Sequence, residues 1–154
     1  MTDKGGVMEQ VLLIEDEIKD VDTYPLILEL KRSGYEVIVA KTGNEAVKKL
    51  SNKRFSCIII DIMVPHGEDI HIPEDLPRRK MGIHILERIL NNEFEKVGNS
   101  KETPVIIVTA IIDYEDEIKL RKMLKGEEFY LKKPVRPDVI VQTLKKAIEK
   151  TEKS

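Results

Sequence analysis

Cys57-Ile58-Ile59-Ile60-Asp61 is the stretch on which the reading of the fold turns. Its four apolar residues do not alternate with polar ones, so neither side of the segment is reserved for water. A strand of a parallel sheet, covered by helices on both faces, has this pattern. Two further runs share it, Val11-Leu12-Leu13-Ile14 upstream and Val105-Ile106-Ile107-Val108 downstream. Glu36-Val37-Ile38-Val39-Ala40 and the shorter Phe129-Tyr130-Leu131 bring the predicted strands to five.

Between the runs, apolar residues recur at helical spacing. The segments are Leu26 to Arg32 before Gly34, Glu45 to Leu50 after Thr42-Gly43-Asn44, and Ile83 to Phe94. A fourth runs from about Tyr114 to Lys125 and stops at Gly126, read as a left-handed C′ residue. A fifth follows Pro137 and carries Val139, Ile140, Leu144, Ala147 and Ile148 on one face. Pro25 is compatible only with the first turn of the first helix, which is therefore expected to begin near Thr23. Strands alternating with helices in this way predict a doubly wound α/β fold with a five-stranded parallel sheet. One domain is expected over residues 11–150, between tails at 1–10 and 151–154. A loop inserted at about 65–81 interrupts the rhythm, with three prolines and no sustained period.

Composition narrows the function. The chain has 26 basic and 28 acidic residues and a formal charge of -2, so no electrostatic attraction to nucleic acid is expected. No stretch approaches the roughly 18 apolar residues of a membrane span, and Met1 to Gln10 lacks the basic and apolar regions of a signal peptide. The expected location is the cytoplasm, which suits the single Cys57, set inside an apolar run where a buried thiol is inert.

In an open parallel sheet the chemistry gathers at the carboxyl ends of the strands. Those ends carry Glu15-Asp16-Glu17, Asp61, Thr109-Ala110 and Lys132-Lys133-Pro134. Carboxylates brought together repel one another, and a hard divalent cation relieves the repulsion. Magnesium takes one or two carboxylates, waters and a phosphate oxygen, which suits Asp16, Asp61 and a backbone carbonyl with a lysine opposite. Alone, the acidic run after the first strand reads as ordinary charge at the start of a helix; the combination with Asp61 makes it a metal site. His66, His71 and His84 have no metal-ligand spacing, two of them lie in the inserted loop, and all three are read as ordinary polar residues.

These motifs, in this order, resemble the receiver domains of two-component response regulators. The residues that carry the resemblance are Val11 to Glu17, Ile60-Asp61-Ile62-Met63-Val64-Pro65, Pro104 to Ala110 and Tyr130-Leu131-Lys132-Lys133-Pro134. It implies a flavodoxin-like topology with strand order 2-1-3-4-5. It implies that Asp61 accepts the phosphoryl group and that Mg2+ is held by Asp16, Asp61, the Met63 carbonyl and, through a water, Glu15. Lys133 and Thr109 then contact the phosphoryl oxygens, and Thr109 and Tyr130 act as the switch pair. The implied donor is a histidine kinase or phosphotransfer protein. Output passes to a protein target through the face of the fourth helix, fifth strand and fifth helix, or through a homodimer formed on phosphorylation. Met63 and Ile111 border the approach to the acyl phosphate, and two apolar side chains there imply slow self-dephosphorylation.

The chain departs from the family where Pro65 is separated from Gly82, the glycine that opens the third helix, by about thirteen extra residues. That insert is acidic first (Glu68, Asp69, Glu74, Asp75) and basic later (Arg78, Arg79, Lys80), which suits a partner-docking element or, as the alternative, a neutral surface elaboration. A stand-alone regulator is the leading expectation, catalysing only its own phosphorylation and dephosphorylation. The alternative is an interaction module of the same fold that is never phosphorylated, which loss of Asp61, Asp16 or Lys133 would have favoured. A phosphatase of the haloacid dehalogenase class needs an Asp where Met63 stands, and a flavin protein needs a hydroxyl-rich loop after the first strand.

Overall fold

The computed structural model describes residues 8–17, 23–65, 67, 76, 80–110 and 112–153. The chain runs β1 (Glu9–Ile14), α1 (Thr23–Arg32), β2 (Tyr35–Ala40), α2 (Gly43–Asn52), β3 (Cys57–Ile60), α3 (Met81–Leu90), β4 (Val105–Thr109), α4 (Tyr114–Met123), β5 (Tyr130–Lys132) and α5 (Pro137–Glu152). A 3-10 turn, Glu127–Phe129, precedes β5. The strands form one sheet in the order 2-1-3-4-5, and every neighbouring pair is parallel.

The period of two along each strand divides the core. Leu12, Ile14, Ile58, Ile60 and Ile107 pack with α2, α3 and Leu120 of α4, while Val11, Leu13, Cys57, Ile59, Ile106 and Val108 pack with α1 and α5. β3 is buried at all four positions, as its unbroken apolar run predicts. Cys57 lies in this core, where burial raises its thiol pKa and keeps it unreactive.

Local chemistry sets several boundaries. Thr42 caps α2 by accepting the Glu45 N–H at 3.0 Å, and the Glu45 carboxylate returns to the Lys41 N–H at 3.0 Å, a variant of the capping box. Among the described residues α1 spans Thr23–Arg32, with Pro25 near its start. α3 is shorter than predicted: Asn92 adopts a left-handed φ of 59°, and residues 91–98 form turns instead of about one more helical turn to Phe94. α4 also stops early, because Leu124 is extended. Gly126 has φ -167° and precedes the 3-10 turn, so it is not the left-handed C′ residue that the sequence suggested. β1 begins at Glu9 and α5 reaches Glu152, which adds regular structure at both ends of the expected 11–150 span.

Two backbone junctions fix where the carboxyl end of β3 sits. Asn99 is fully buried; its carbonyl accepts the Phe55 N–H at 2.9 Å, and its amide donates to Leu50 O at 2.9 Å and Lys53 O at 2.6 Å. It thereby satisfies the end of α2 and the approach to β3. At the other end of β3, the Gly82 N–H donates to Ile62 O at 2.9 Å, and a Cβ on Gly82 would lie 2.4 Å from Ile62 Cα. Only glycine lets α3 start this close to the backbone beside Asp61. Asn99→Leu is therefore expected to lower the unfolding free energy by roughly 2–4 kcal/mol, and Gly82→Ala by about 2 kcal/mol or more. Urea denaturation measures both, and a loss below about 0.5 kcal/mol in either variant refutes the role given to that residue.

Candidate functional site

The parallel ladder continues one residue past several strands and places the site. The Glu15 N–H donates to Ala40 O at 2.9 Å, Asp61 N–H to Ile14 O at 2.9 Å, and Lys133 N–H to Thr109 O at 2.8 Å. Each polar side chain is thus attached to a backbone position as fixed as the sheet itself. The Lys133-Pro134 peptide is cis.

At these ends the side chains converge. Asp61 Oδ2 accepts from Lys133 Nζ at 2.9 Å, and Asp61 Oδ1 accepts from the Thr109 hydroxyl at 3.3 Å and from the Met63 N–H at 3.0 Å. The last bond is an Asx turn that orients the carboxylate. Lys133 Nζ also donates to Glu15 Oε1 at 2.7 Å, and the other Glu15 oxygen accepts the Glu17 N–H at 3.3 Å. Thr109 and Glu15 are 0% and 4% exposed and Asp61 is 9% exposed, so these contacts are made largely out of water. Asp16 follows Glu15 at the same strand end and is half-buried. Glu15, Asp61, Thr109 and Lys133 are therefore brought together as the sequence predicted, with the Met63 N–H bonded to Asp61 and Asp16 next in sequence to Glu15.

The electrostatics are one-sided. Burial raises the Glu15 carboxyl, and the neighbouring Asp61 charge raises it further; the hydrogen bond and charge of Lys133 pull it back, leaving it at about 7. Burial alone would lower Lys133, but the hydrogen bonds and charges of Glu15 and Asp61 outweigh it and hold the ammonium above its usual range. One cation is thus shared between two carboxylates. Among the described residues no three acidic, His or Cys side chains already form a group able to hold a metal. The donor set still fits magnesium. That ion binds through one or two carboxylates and keeps several waters, and Asp61 with Asp16 meets the requirement. The Asp61 charge, which adds to burial in raising Glu15, is the negative charge that such an ion would relieve.

Tyr130 is buried beside Leu120 and Ile107, and its hydroxyl has no hydrogen-bond partner among the described residues. The Arg121 guanidinium lies over its ring, 4.6 Å from the centroid. Arg121 in turn donates to Glu117 at 3.0 Å, and Glu117 pairs with Lys132 at 3.3 Å. The sequence gives Lys132 no partner and does not single out Glu117 and Arg121, although their i, i+4 spacing of opposite charges is a visible signal. His84 is partly buried, and burial followed by the Arg88 charge lowers its pKa. The expectations for His66, His71, Ile111 and the insert charges Glu68, Asp69, Glu74, Asp75, Arg78 and Arg79 fall outside the described residues.

The family profile described as the response regulator receiver domain matches residues 11–145. The alkaline phosphatase synthesis transcriptional regulatory protein PhoP of Bacillus subtilis is 34% identical over 91 residues, covering 58% of this chain and 38% of that protein. The transcriptional regulatory protein SrrA of Staphylococcus aureus is 24% identical over 143 residues, 93% of this chain and 49% of that protein. The chain spans about half the length, or less, of these curated relatives. Among solved structures, a CheY-like response regulator receiver domain protein from Methanospirillum hungatei superposes with a TM-score of 0.70 at 23% identity, covering 96% of this chain and 98% of that one. The receiver domain of a Francisella response regulator gives 0.66 at 24% identity, with coverage of 93% and 98%. These two likenesses concern the fold.

The raised Glu15 has a consequence for stability. A carboxyl whose folded pKa of about 7 exceeds its ordinary 4.5 weakens the fold once it ionises. In metal-free buffer at about pH 8, Glu15→Gln is therefore expected to stabilise the protein by on the order of 2 kcal/mol. The gain shrinks as the pH falls through about 7 and disappears below 4.5, where Glu15 is protonated in both states. Urea midpoints across this range test it; a gain independent of pH, or a loss at pH 8, contradicts the assignment.

Proposed function

The chain belongs to the response regulator receiver family, and from that membership we propose that Asp61 is its phosphoacceptor in a two-component signalling pathway. The observation that carries the proposal is the setting of Asp61 at the end of β3, with Lys133 Nζ on one oxygen and the Thr109 hydroxyl on the other. Phosphoryl transfer requires a nucleophile in line and positive charge or donors around the equatorial oxygens, with little demand for an acid or base. A carboxylate flanked by an ammonium and a hydroxyl meets that need.

In the step, an Asp61 oxygen attacks the donor phosphorus. An O–P bond forms as the bond to the leaving group breaks, and the leaving group departs with the electron pair. That group is the imidazole of a phosphohistidine on a histidine kinase or phosphotransfer protein, or acetate when acetyl phosphate is the donor. Lys133 shifts from the carboxylate to the new phosphoryl oxygens, and Thr109 gives its hydroxyl to one of them. Asp16, Asp61 and the Met63 carbonyl would hold Mg2+, with Glu15 joined through a water. When bound, the ion supplies positive charge against the phosphoryl oxygens. The domain catalyses only its own modification and its reversal.

The proposed unit is one receiver domain over about 11–150 with the inserted connection at 65–81, acting in the cytoplasm. Among the described residues no helix is long and apolar enough to cross a membrane. Output is assigned to protein contacts or phosphorylation-dependent dimerisation at the face of α4, β5 and α5, where Tyr130 and Arg121 meet, with no direct contact to nucleic acid. Tyr130 is the switch aromatic in this reading, and its enclosed, unpartnered hydroxyl supports a position that changes with Thr109.

Incubation with magnesium and acetyl phosphate is expected to add one phosphoryl group to the natural protein and none to Asp61→Asn, as read by intact mass. Asp16→Ala is expected to lose magnesium binding and phosphorylation together, because one carboxylate fewer does not hold the ion against its hydration. Modification that persists in Asp61→Asn, or an unchanged magnesium titration in Asp16→Ala, overturns the respective assignment.

A further inference from the structure

α4 is docked mainly by charge. Of its ten residues only Asp116 and Leu120 are buried, whereas α3, of equal length, buries Met81, Gly82, Ile83, Ile85, Leu86 and Ile89. Leu120, with Met123 partly buried against the same core, leaves little apolar area to hold a helix. Ion pairs surround it instead: Lys80 with Asp116 at 2.7 Å, Glu87 with Lys119 at 3.0 Å, and Lys132 with Glu117 at 3.3 Å. They are not equivalent. The Glu87 and Lys119 side chains are 44% and 51% exposed, a setting in which a pair contributes little. The Asp116 side chain is only 10% exposed, and the loss of its partner leaves a charge largely out of water.

The position of this pair gives it meaning. Lys80 is the last residue before α3, and two residues later Gly82 is bonded to Ile62, next to Asp61. Asp116 stands in the first turn of α4, the helix that follows Thr109 and its loop. Lys80–Asp116 therefore spans the same two chain segments as the Thr109–Asp61 hydrogen bond of 3.3 Å, one rung further out. A movement of Thr109 toward a modified Asp61 either carries α4 along or breaks the outer rung.

We propose that the Lys80–Asp116 pair is a latch that holds α4 in the position it takes while Asp61 is unmodified, so that Lys80, at the start of α3, sets how readily α4 yields. The proposal rests on Asp61 as phosphoacceptor. Its first test does not: in the unmodified protein, Lys80→Met is expected to speed amide hydrogen exchange over Tyr114–Met123 about tenfold, with α5 unchanged. Asp116→Asn is expected to do the same, and Lys80→Arg to retain natural protection. Exchange in α4 that matches the natural protein in both Lys80→Met and Asp116→Asn overturns the latch.

The second test uses beryllium trifluoride with magnesium as the phosphoryl probe. Release of the latch is expected to tighten its binding several-fold, since the latched state no longer competes. Faster α4 exchange with unchanged probe affinity overturns the link to switching and leaves a purely structural ion pair. A natural protein that does not bind the probe at all overturns the phosphoacceptor reading, and with it the link to switching, while the exchange measurement still decides whether the pair holds α4.

Discussion

Lys133 bridges Glu15 and Asp61 across strands that are not consecutive in sequence, and the arrangement of the site depends on that shared ammonium. Two carboxylates this enclosed repel each other, and a single cation placed between them relieves the repulsion only in part. Burial first, and the Asp61 charge second, keep the Glu15 carboxyl at about 7 despite a 2.7 Å bond to the lysine. The site is thus built with negative charge in excess. Such a site is poorly suited to structural support and well suited to receiving a divalent cation with a phosphoryl group.

The sheet makes this imbalance tolerable. The ladder bonds of Glu15, Asp61 and Lys133 continue past the ends of the strands, so the backbone cannot relax to separate the charges. Beneath them the fully buried run Cys57 to Ile60 is packed on both faces, and Asn99 and Gly82 fix the segments that lead into and out of it. Apolar burial thus stabilises a constellation that repels itself, the usual relation between scaffold and site.

How much of this the sequence disclosed follows from how local each signal is. The strands were legible because a short, unbroken apolar run bounded by polar residues suits a strand covered on both faces and little else. The site was legible because its residues sit at the ends of those runs. Glu15, Asp61, Thr109 and Lys133 could be grouped without coordinates once the sheet was known to be parallel. Helix ends were less legible: Asn92 turns left-handed and Leu124 becomes extended through contacts that no short window contains. Asn99 was silent for the same reason, since its partners Leu50, Lys53 and Phe55 are more than 40 positions away. Gly82 was noticed as a family position, but the reason for glycine, the approach to Ile62 Cα, is a fact of three dimensions.

The polarity of α4 was in plain view as Tyr-Glu-Asp-Glu-Ile-Lys-Leu-Arg-Lys-Met, yet it reads differently once the fold is known. A helix with so little apolar face would ordinarily be a solvated connector. Here it covers the end of the sheet that bears Thr109 and Tyr130, and it is held by side chains from the start of α3, the body of α3 and the end of β5. Apolar packing favours one well-fitted position and resists displacement, because a void opens wherever it separates. Ion pairs at a half-exposed surface exchange for water at small cost. A helix attached largely by charge can therefore shift without opening the core, and Lys80–Asp116, whose carboxylate is the most enclosed of those that pair α4 with its neighbours among the described residues, is the contact whose loss that shift must overcome.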